Sequence, residues 1–416
     1  MVYSFIDLID GAGWKEQTKS VINGMRRKGW PKLAKAVYLH IPFCEHICYY
    51  CDFNKVFLKN QPVDDYLDAL EREMVLTLEA FPTDRIETIF IGGGTPTALN
   101  EKQMARLMDM VRQHLLPLAS DDLEYSVEAN PNFVSAEKLD TMKAGGVNRL
   151  SFGVQTFDDG GLERIGRTHR ADDVFETVSE AAKRFDNISI DLMFGLPEQT
   201  LEQIDRDLAL ALQLPIQHVS SYSLILEPHT VFAIQDRKGK LRLPGEDVEV
   251  DMYLKVMETL ERHGLQQYEI SNYGLPGRES RHNQVYWRNE EYYGFGAGAH
   301  SYLNGTRRAN IAPIPHYIKA EGIPVKRVTE LEEVEKMEEE LFLGLRMRSG
   351  VSLQTFEQKY GVSLDDVFGH VIEELVKKSL IERTGTHIRL TASGLPLANE
   401  AFAAFIGEAK LEHADS

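Results

Sequence analysis

The stretch VYLHIPFCEHICYYCDF, residues 37–53, joins a predicted β-strand to a loop that contains every cysteine of this 416-residue chain. The apolar run VYLHI at its start is typical of a buried strand. Cys44, Cys48 and Cys51 follow it in the spacing C-x-x-x-C-x-x-C, all within eight residues. Because the set is odd and tightly clustered, it indicates metal ligation rather than a disulfide framework.

The alternation that begins with this strand continues along the chain. Strand-like runs cover residues 37–41, 88–93, 123–131, 148–155, 188–195 and 218–226. Stretches with the apolar spacing of amphipathic helices lie between them, at residues 63–80, 101–116, 172–184 and 201–214. About six alternations predict parallel βαβ units, and most simply an α/β fold with a partial (β/α)6 barrel. The active site is then expected at the carboxyl ends of the strands.

The three cysteines suit an iron–sulfur cluster. Three thiolates can hold a [4Fe–4S] cube while its fourth iron stays open, whereas an electron-transfer cluster normally has four cysteine ligands. The open iron can bind S-adenosylmethionine (SAM), which an electron from the cluster can cleave to a 5′-deoxyadenosyl radical. A zinc site with His46 as a fourth ligand is the alternative, but the paired cysteines of zinc ribbons are missing. The spacing resembles that of the radical SAM superfamily.

Polar and glycine-rich segments follow the later strands. GGGTPT, residues 92–97, is suited to close backbone contact with a ligand, and no G-K-[ST] follows it, so a phosphate loop is disfavoured. We predict that it contacts the SAM amino group. We assign Glu128 to the ribose hydroxyls, Gln155 and Arg167 to the carboxylate and ribose region, and Asp191 to the ribose or amino group. For the acidic residues, a helix N-cap is the alternative role.

From Tyr38 to about residue 400 the chain resembles the family of oxygen-independent coproporphyrinogen III oxidases and their haem-chaperone relatives. The resemblance rests on the motifs YLHIPFC, GGGTPT, GVQTF, IDLMFGLP and HNQVYW. It implies a radical SAM barrel with a smaller C-terminal domain. It also implies a set of SAM contacts, namely Tyr38, Tyr50, Gly93, Gly94, Thr95, Glu128, Gln155, Arg167 and Asp191.

Two features separate the oxidases from the chaperones in this family. The oxidases have a fourth cysteine two residues after the third, whereas Phe53 stands there in this chain. HNQVYW, residues 282–287, matches a motif attributed to haem binding in the chaperones, which implies haem contacts at His282, Asn283, Tyr286 and Trp287. Imidazole is a usual ligand of haem iron, and the aromatic rings offer flat apolar faces. A turn with two core aromatics is the alternative, and His300 is a second candidate ligand or a loop histidine.

The leading interpretation is a haem chaperone that delivers haem to apo-haem proteins of the respiratory chain, with the cluster and SAM supporting the transfer. We expect the protein to cleave SAM but to lack coproporphyrinogen III oxidase activity. That oxidase, which decarboxylates two propionates, is the alternative function. A methyltransferase or tRNA-modifying enzyme is disfavoured because neither a basic surface nor an additional methyl-carrying cysteine is present. A net charge of −18 also argues against nucleic acid as a partner.

The remaining segments define the predicted domains. Residues 1–35 form a basic extension, either a docking segment that contacts a membrane surface or an upstream start-site artefact. Residues 36–310 form the barrel, including HNQVYW. Residues 311–416 form a helical, winged-helix-like domain that we interpret as a lid or packing module rather than a DNA reader. We expect a cytoplasmic protein, because no secretory signal or membrane-spanning stretch is present, and we also consider a homodimer.

Overall fold

A computed structural model describes residues 34–409 of the chain. Its strands, in chain order, are β1 (Ala36–Ile41), β2 (Phe43–Cys44), β3 (Val56–Phe57), β4 (Ile86–Gly93), β5 (Ala119–Ala129), β6 (Arg149–Gln155), β7 (Ile188–Phe194), β8 (His218–Ser223), β9 (Gln266–Glu269), β10 (Asn272–Gly274), β11 (Tyr292–Phe295), β12 (His300–Leu303), β13 (Thr306–Asn310), β14 (Val325–Glu330), β15 (Val351–Ser352), β16 (Ile381–Arg383) and β17 (His387–Leu390). Its α-helices are α1 (Val63–Ala80), α2 (Glu101–His114), α3 (Ala136–Ala144), α4 (Asp159–Arg164), α5 (Ala171–Ala182), α6 (Leu201–Ala211), α7 (Val231–Arg237), α8 (Glu246–Arg262), α9 (Arg281–Trp287), α10 (Ile314–Ile318), α11 (Glu333–Gly344), α12 (Leu353–Tyr360), α13 (Leu364–Lys377) and α14 (Ala398–Ala403).

Six parallel strands form the centre of a twelve-stranded sheet. They are neighbours in the order β1-β4-β5-β6-β7-β8, and helices connect them. This arrangement confirms the predicted partial (β/α)6 barrel. Each predicted strand overlaps an observed one, and the helix predicted over residues 63–80 has those bounds.

Further strands extend this sheet on both sides. β11 pairs in parallel with β1, and β12, β13 and β14 continue from it in antiparallel pairs. On the other side, β10 and β9 add to β8 in antiparallel pairs. The predicted boundary between residues 310 and 311 falls between β13 and β14, which pair within this sheet.

Alternate side chains of β1 face either the core against the helices or the cavity inside the barrel. Val37, Leu39 and Ile41 are fully buried in the core that also contains apolar residues of α1. Tyr38 and His40 alternate with them and therefore lie on the opposite face of the strand, where they line a cavity. Parallel strands covered by helices bury apolar side chains in this way, and the inward polar residues remain available for a ligand.

The C-terminal region packs three helices, α11, α12 and α13, with a small sheet of order β15-β17-β16. The helix pair followed by a β-hairpin confirms the winged-helix-like prediction. Residues 1–33 of the predicted basic extension lie outside the described residues. None of the helices within residues 34–409 is long and apolar enough to cross a membrane.

Candidate active site and adjoining cavity

The carboxyl ends of the central strands surround a cavity of about 390 Å³, which we call the first cavity. Its size lies within the range of about 300–1,000 Å³ that is usual for small-molecule sites. Most of the residues predicted to bind the cluster and SAM line it: Cys44, Cys48, Cys51, Tyr50, Gly93, Gly94, Thr95, Glu128, Gln155, Arg167 and Asp191. Tyr38 is the exception, because it lines a neighbouring cavity instead.

The glycine loop after β4 is bound to the segment that leads into the cysteine loop. The Gly94 N–H donates to the Ile41 carbonyl and the Thr95 N–H to the Phe43 carbonyl, both at 2.8 Å. A Cβ atom at Gly94 would lie 2.8 Å from the Pro42 carbonyl carbon, so glycine is required for this close approach. The loop therefore fixes the backbone beside Cys44 in addition to lining the cavity.

The donor set of the cysteine loop fits a [4Fe–4S] cluster. Burial raises the pKa of the Cys44 thiol to about 11 and also raises that of Cys51. Binding of iron displaces the proton, since the thiolate is the ligand. Within residues 34–409, no three Cys, His, Asp or Glu side chains are grouped to hold a single metal ion, as a zinc site including His46 requires. In a cluster each cysteine binds a different iron, so the thiolates need not converge on one point.

Arg167 provides a partly buried positive charge in the first cavity. Its Nη1 donates to Asn130 Oδ1 at 2.8 Å, while its Nε has no hydrogen-bond partner among the described residues. A Cβ atom at Gly153 would lie 2.7 Å from Arg167 Nη2, so this glycine makes room for the guanidinium. Gln155 has φ +71°, a strained conformation for a residue with a side chain, and strain of this kind is common at ligand sites.

Two carboxylates also line the first cavity. Glu128 Oε2 accepts the Gly93 N–H at 3.0 Å, and Asp191 Oδ1 accepts the Ser151 hydroxyl at 3.2 Å. Burial, with the Asp191 charge as a second cause, raises the pKa of Glu128 to about 8, and burial also raises the pKa of Asp191. The first cavity thus combines acceptors suited to hydroxyl or ammonium groups with the cationic Arg167.

A second cavity, also of about 390 Å³, adjoins the first. Three histidines, His40, His282 and His300, line it together with Asn283, Tyr286 and other aromatic residues. The two cavities share six lining residues: Phe53, Gly93, Glu128, Ser151, Asp191 and Tyr222. Phe53, which stands in the position of the oxidases' fourth cysteine, is 62% exposed.

His282 is held firmly inside this wall. It is 1% exposed, its Nδ1 lies 2.8 Å from Thr88 Oγ1, and its Nε2 lies 2.8 Å from Tyr286 Oη. Its ring also stacks on Phe90, with centroids 5.2 Å apart. Burial lowers the pKa of His282 to about 3, so the ring is neutral at physiological pH.

Trp287 does not join the other residues of HNQVYW. It lines neither cavity, and the guanidinium of Arg346, which follows α11, lies 4.2 Å from the centre of its ring. Since α9 is one helix, residues on its different faces contact different partners. This end of α9 therefore connects the second cavity to the C-terminal region.

Arg149 is a cavity residue that the sequence reasoning missed. It is 2% exposed, it lines the second cavity, and its Nε has no hydrogen-bond partner among the described residues. An arginine inside the apolar strand NRLSFGVQ was the available signal, because a buried arginine normally faces a partner or a ligand.

Comparisons with known proteins agree with this geometry. Residues 38–211 match the radical SAM superfamily model, and residues 331–397 match the HemN C-terminal domain. The chain is 52% identical over 378 residues to "Heme chaperone HemW" of Bacillus subtilis, covering 90% of this chain and all of the relative. It is 35% identical to mouse "Radical S-adenosyl methionine domain-containing protein 1, mitochondrial", covering 86% of this chain and 84% of that protein. The solved structure of coproporphyrinogen III oxidase (HemN) from Escherichia coli superposes with a TM-score of 0.80 at 26% identity, covering 93% of both chains.

Proposed function

Because the chain belongs to the HemW family of radical SAM proteins, we propose that it is a haem chaperone, which binds haem and delivers it to apo-haem proteins. Membership of the superfamily implies a [4Fe–4S] cluster and SAM as cofactors. The observation that carries the proposal is the second cavity, lined by histidines and aromatic rings, beside the predicted cluster and SAM site.

We propose that haem binds in the second cavity. Tyr38, Phe90, Tyr286 and Tyr292 supply aromatic surface to its wall, and such rings suit a flat porphyrin. His282 and Asn283 are the polar residues that HNQVYW contributes. Trp287 supports the proposed site from outside, since it packs against Arg346 rather than facing the cavity.

In the first cavity, Cys44, Cys48 and Cys51 hold the cluster in this proposal. When bound, the cluster and SAM supply reductive cleavage of the sulfonium. Arg167 with Gln155 binds the carboxylate and ribose region of SAM, while Glu128 and Asp191 accept hydrogen bonds from its hydroxyl or amino groups. Gly93, Gly94, Thr95 and Tyr50 shape the wall, and Tyr38 acts from the second cavity.

An oxygen-independent coproporphyrinogen III oxidase is the second candidate, favoured by the fold shared with the E. coli enzyme. Phe53 argues against it, because the oxidases resembled here have a cysteine at that position. The relatives named HemW, at 52% and 45% identity, favour the chaperone.

Several finer predictions accompany the proposal. We propose respiratory enzymes as haem acceptors and a cytoplasmic location, with contact to the membrane surface through the basic residues 1–35. A homodimer and the domain boundaries given above also remain predictions.

The test combines haem binding, haem transfer and oxidase activity in the anaerobically reconstituted full-length protein. We expect a saturable Soret band on addition of haemin, transfer of that haem to an apo-haem protein, and no consumption of coproporphyrinogen III with SAM and reductant. Turnover of coproporphyrinogen III without saturable haem binding would instead establish the oxidase.

A further inference from the structure

The three histidines of the second cavity differ in whether their ring nitrogens are free. His40 has both nitrogens engaged, with Tyr38 Oη at 2.9 Å and the Asn54 carbonyl oxygen at 2.7 Å. His282 is engaged equally, by Thr88 and Tyr286. The ring nitrogens of His300 make no hydrogen bond within the described part of the chain, and the residue is exposed at the cavity wall. We infer that His300, rather than His282, is the imidazole that ligates haem iron, with Arg327 binding a propionate.

This inference rests on the proposed haem-chaperone function, and the energetics of His282 support it. Ligation through Nε2 of His282 would require the Tyr286 hydroxyl to move away and lose its partner. A buried polar group left without a partner costs roughly 1–3 kcal/mol. His300 carries no such cost, because it lines the cavity and its ring nitrogens have no hydrogen-bond partner among the described residues.

The turn that precedes His300 contacts Asn54, the residue after Phe53. The Asn54 side chain donates to the Ala297 carbonyl at 2.7 Å, which ties the end of the cysteine loop to the turn between β11 and β12. Gly298 lies in this turn with φ +76°, and a Cβ atom there would lie 2.7 Å from Asn54 Nδ2. His300 begins β12 directly after the turn. The exposed Phe53 and His300 both line the second cavity.

Arg327 lies on the same face of the sheet as His300. His300 is opposite Ala309, and Ala309 is opposite Arg327, across β12, β13 and β14. Directly opposed residues project to one face, and two strand spacings amount to roughly 10 Å. Arg327 is exposed and makes no ion pair among the described residues, whereas the neighbouring Arg307 is paired with Glu339. Ala309 leaves open the space between the imidazole and this unpaired cation, which suits an anionic propionate.

The experiment is a haemin titration of anaerobically reconstituted protein, followed by difference spectra against haem-free protein. We expect His300→Ala to shift the Soret band and raise the haemin Kd at least tenfold, with added imidazole restoring the band position. Arg327→Ala should raise the Kd several-fold without moving the band, and Arg327→Lys should restore part of the affinity. His316→Ala is the matched control, since His316 is exposed but lines neither cavity.

Iron and sulfide content confirms that each variant retains its cluster. A wild-type Soret band and Kd in His300→Ala, with both altered in a folded His282→Asn variant, would overturn the assignment while leaving the chaperone function intact. Wild-type protein that binds no haemin would refute the proposed function itself, and the ligand assignment with it.

Discussion

Replacement of Gly94 by alanine tests whether the glycine loop positions the cysteine loop. The added methyl group would lie 2.8 Å from the Pro42 carbonyl carbon and 2.9 Å from the backbone nitrogen and oxygen of Phe43. These neighbours are backbone atoms, so no side chain can rotate away to relieve the clash. Overpacking of this kind costs typically about 1–3 kcal/mol, which corresponds to roughly a five- to 150-fold rise in the unfolding equilibrium constant.

We expect Gly94→Ala to unfold at a lower urea concentration and to bind less iron and sulfide per chain after reconstitution. The second effect follows because separation of the two loops displaces Cys44, which comes directly after Phe43. Gly369→Ala in α13 is the matched control: a Cβ atom there meets nothing closer than 4.0 Å. This control should gain about 0.5–1 kcal/mol, since alanine is a better helix former than glycine. Wild-type stability and full cluster content in Gly94→Ala would refute the reasoning.

Three further predictions concern the cavities and their supports. Burial lowers the pKa of His282 to about 3, so between about pH 6.5 and 3 the unfolded chain takes up a proton that the folded chain does not. The free energy of unfolding is therefore lost as the pH falls through that window. In urea titrations, the loss of this free energy between pH 7.5 and 5 should be smaller by up to about 2 kcal/mol in His282→Gln than in the wild type. Phe53→Ala should raise the haemin Kd roughly two- to twelvefold, which corresponds to loss of an aromatic contact worth about 0.5–1.5 kcal/mol. Phe57→Ala is the control, because it removes an exposed ring that lines neither cavity, and it should leave the Kd unchanged. Equal effects of both variants would contradict a specific contact between Phe53 and haem. Buried Glu73 accepts hydrogen bonds from the Gly296 N–H, the Asn310 amide and the Tyr317 hydroxyl. Because each donor left without a partner costs roughly 1–3 kcal/mol, Glu73→Ala should lower the free energy of unfolding in urea by at least about 3 kcal/mol. A loss below about 1 kcal/mol would show that water replaces the carboxylate.

The central barrel was predictable because the sequence pattern of each of its elements lies within one contiguous segment of the chain. β4 and β7 are largely apolar runs that end at or directly before a glycine, and α1 has an amphipathic pattern over its whole length. The cysteine loop was equally plain, since its ligands lie within eight residues. Parallel strands then place their carboxyl ends together, which is why Gly93, Glu128, Gln155 and Asp191 were predicted to meet.

The outer strands and the faces of α9 were not predictable in this way. β9, β10 and β12 have three or four residues each, too few for periodicity to distinguish a strand from a turn, and their pairing depends on distant partners. Tyr38 and Tyr50 are both tyrosines near the cysteines, yet only the pleat of β1 determines that Tyr38 faces the second cavity. Likewise, the sequence HNQVYW alone does not determine that Trp287 packs against Arg346.

The common wall between the two cavities has a thermodynamic consequence for the proposed ligands. Glu128 and Asp191 line both cavities. A ligand in one cavity that alters the charge or position of either carboxylate therefore alters the affinity of the other cavity for its own ligand. Linkage makes this influence reciprocal: if bound SAM changes the haem dissociation constant by some factor, bound haem changes the SAM dissociation constant by the same factor. If both ligands bind as proposed, loading and release of haem are coupled to SAM at equilibrium, even without radical chemistry.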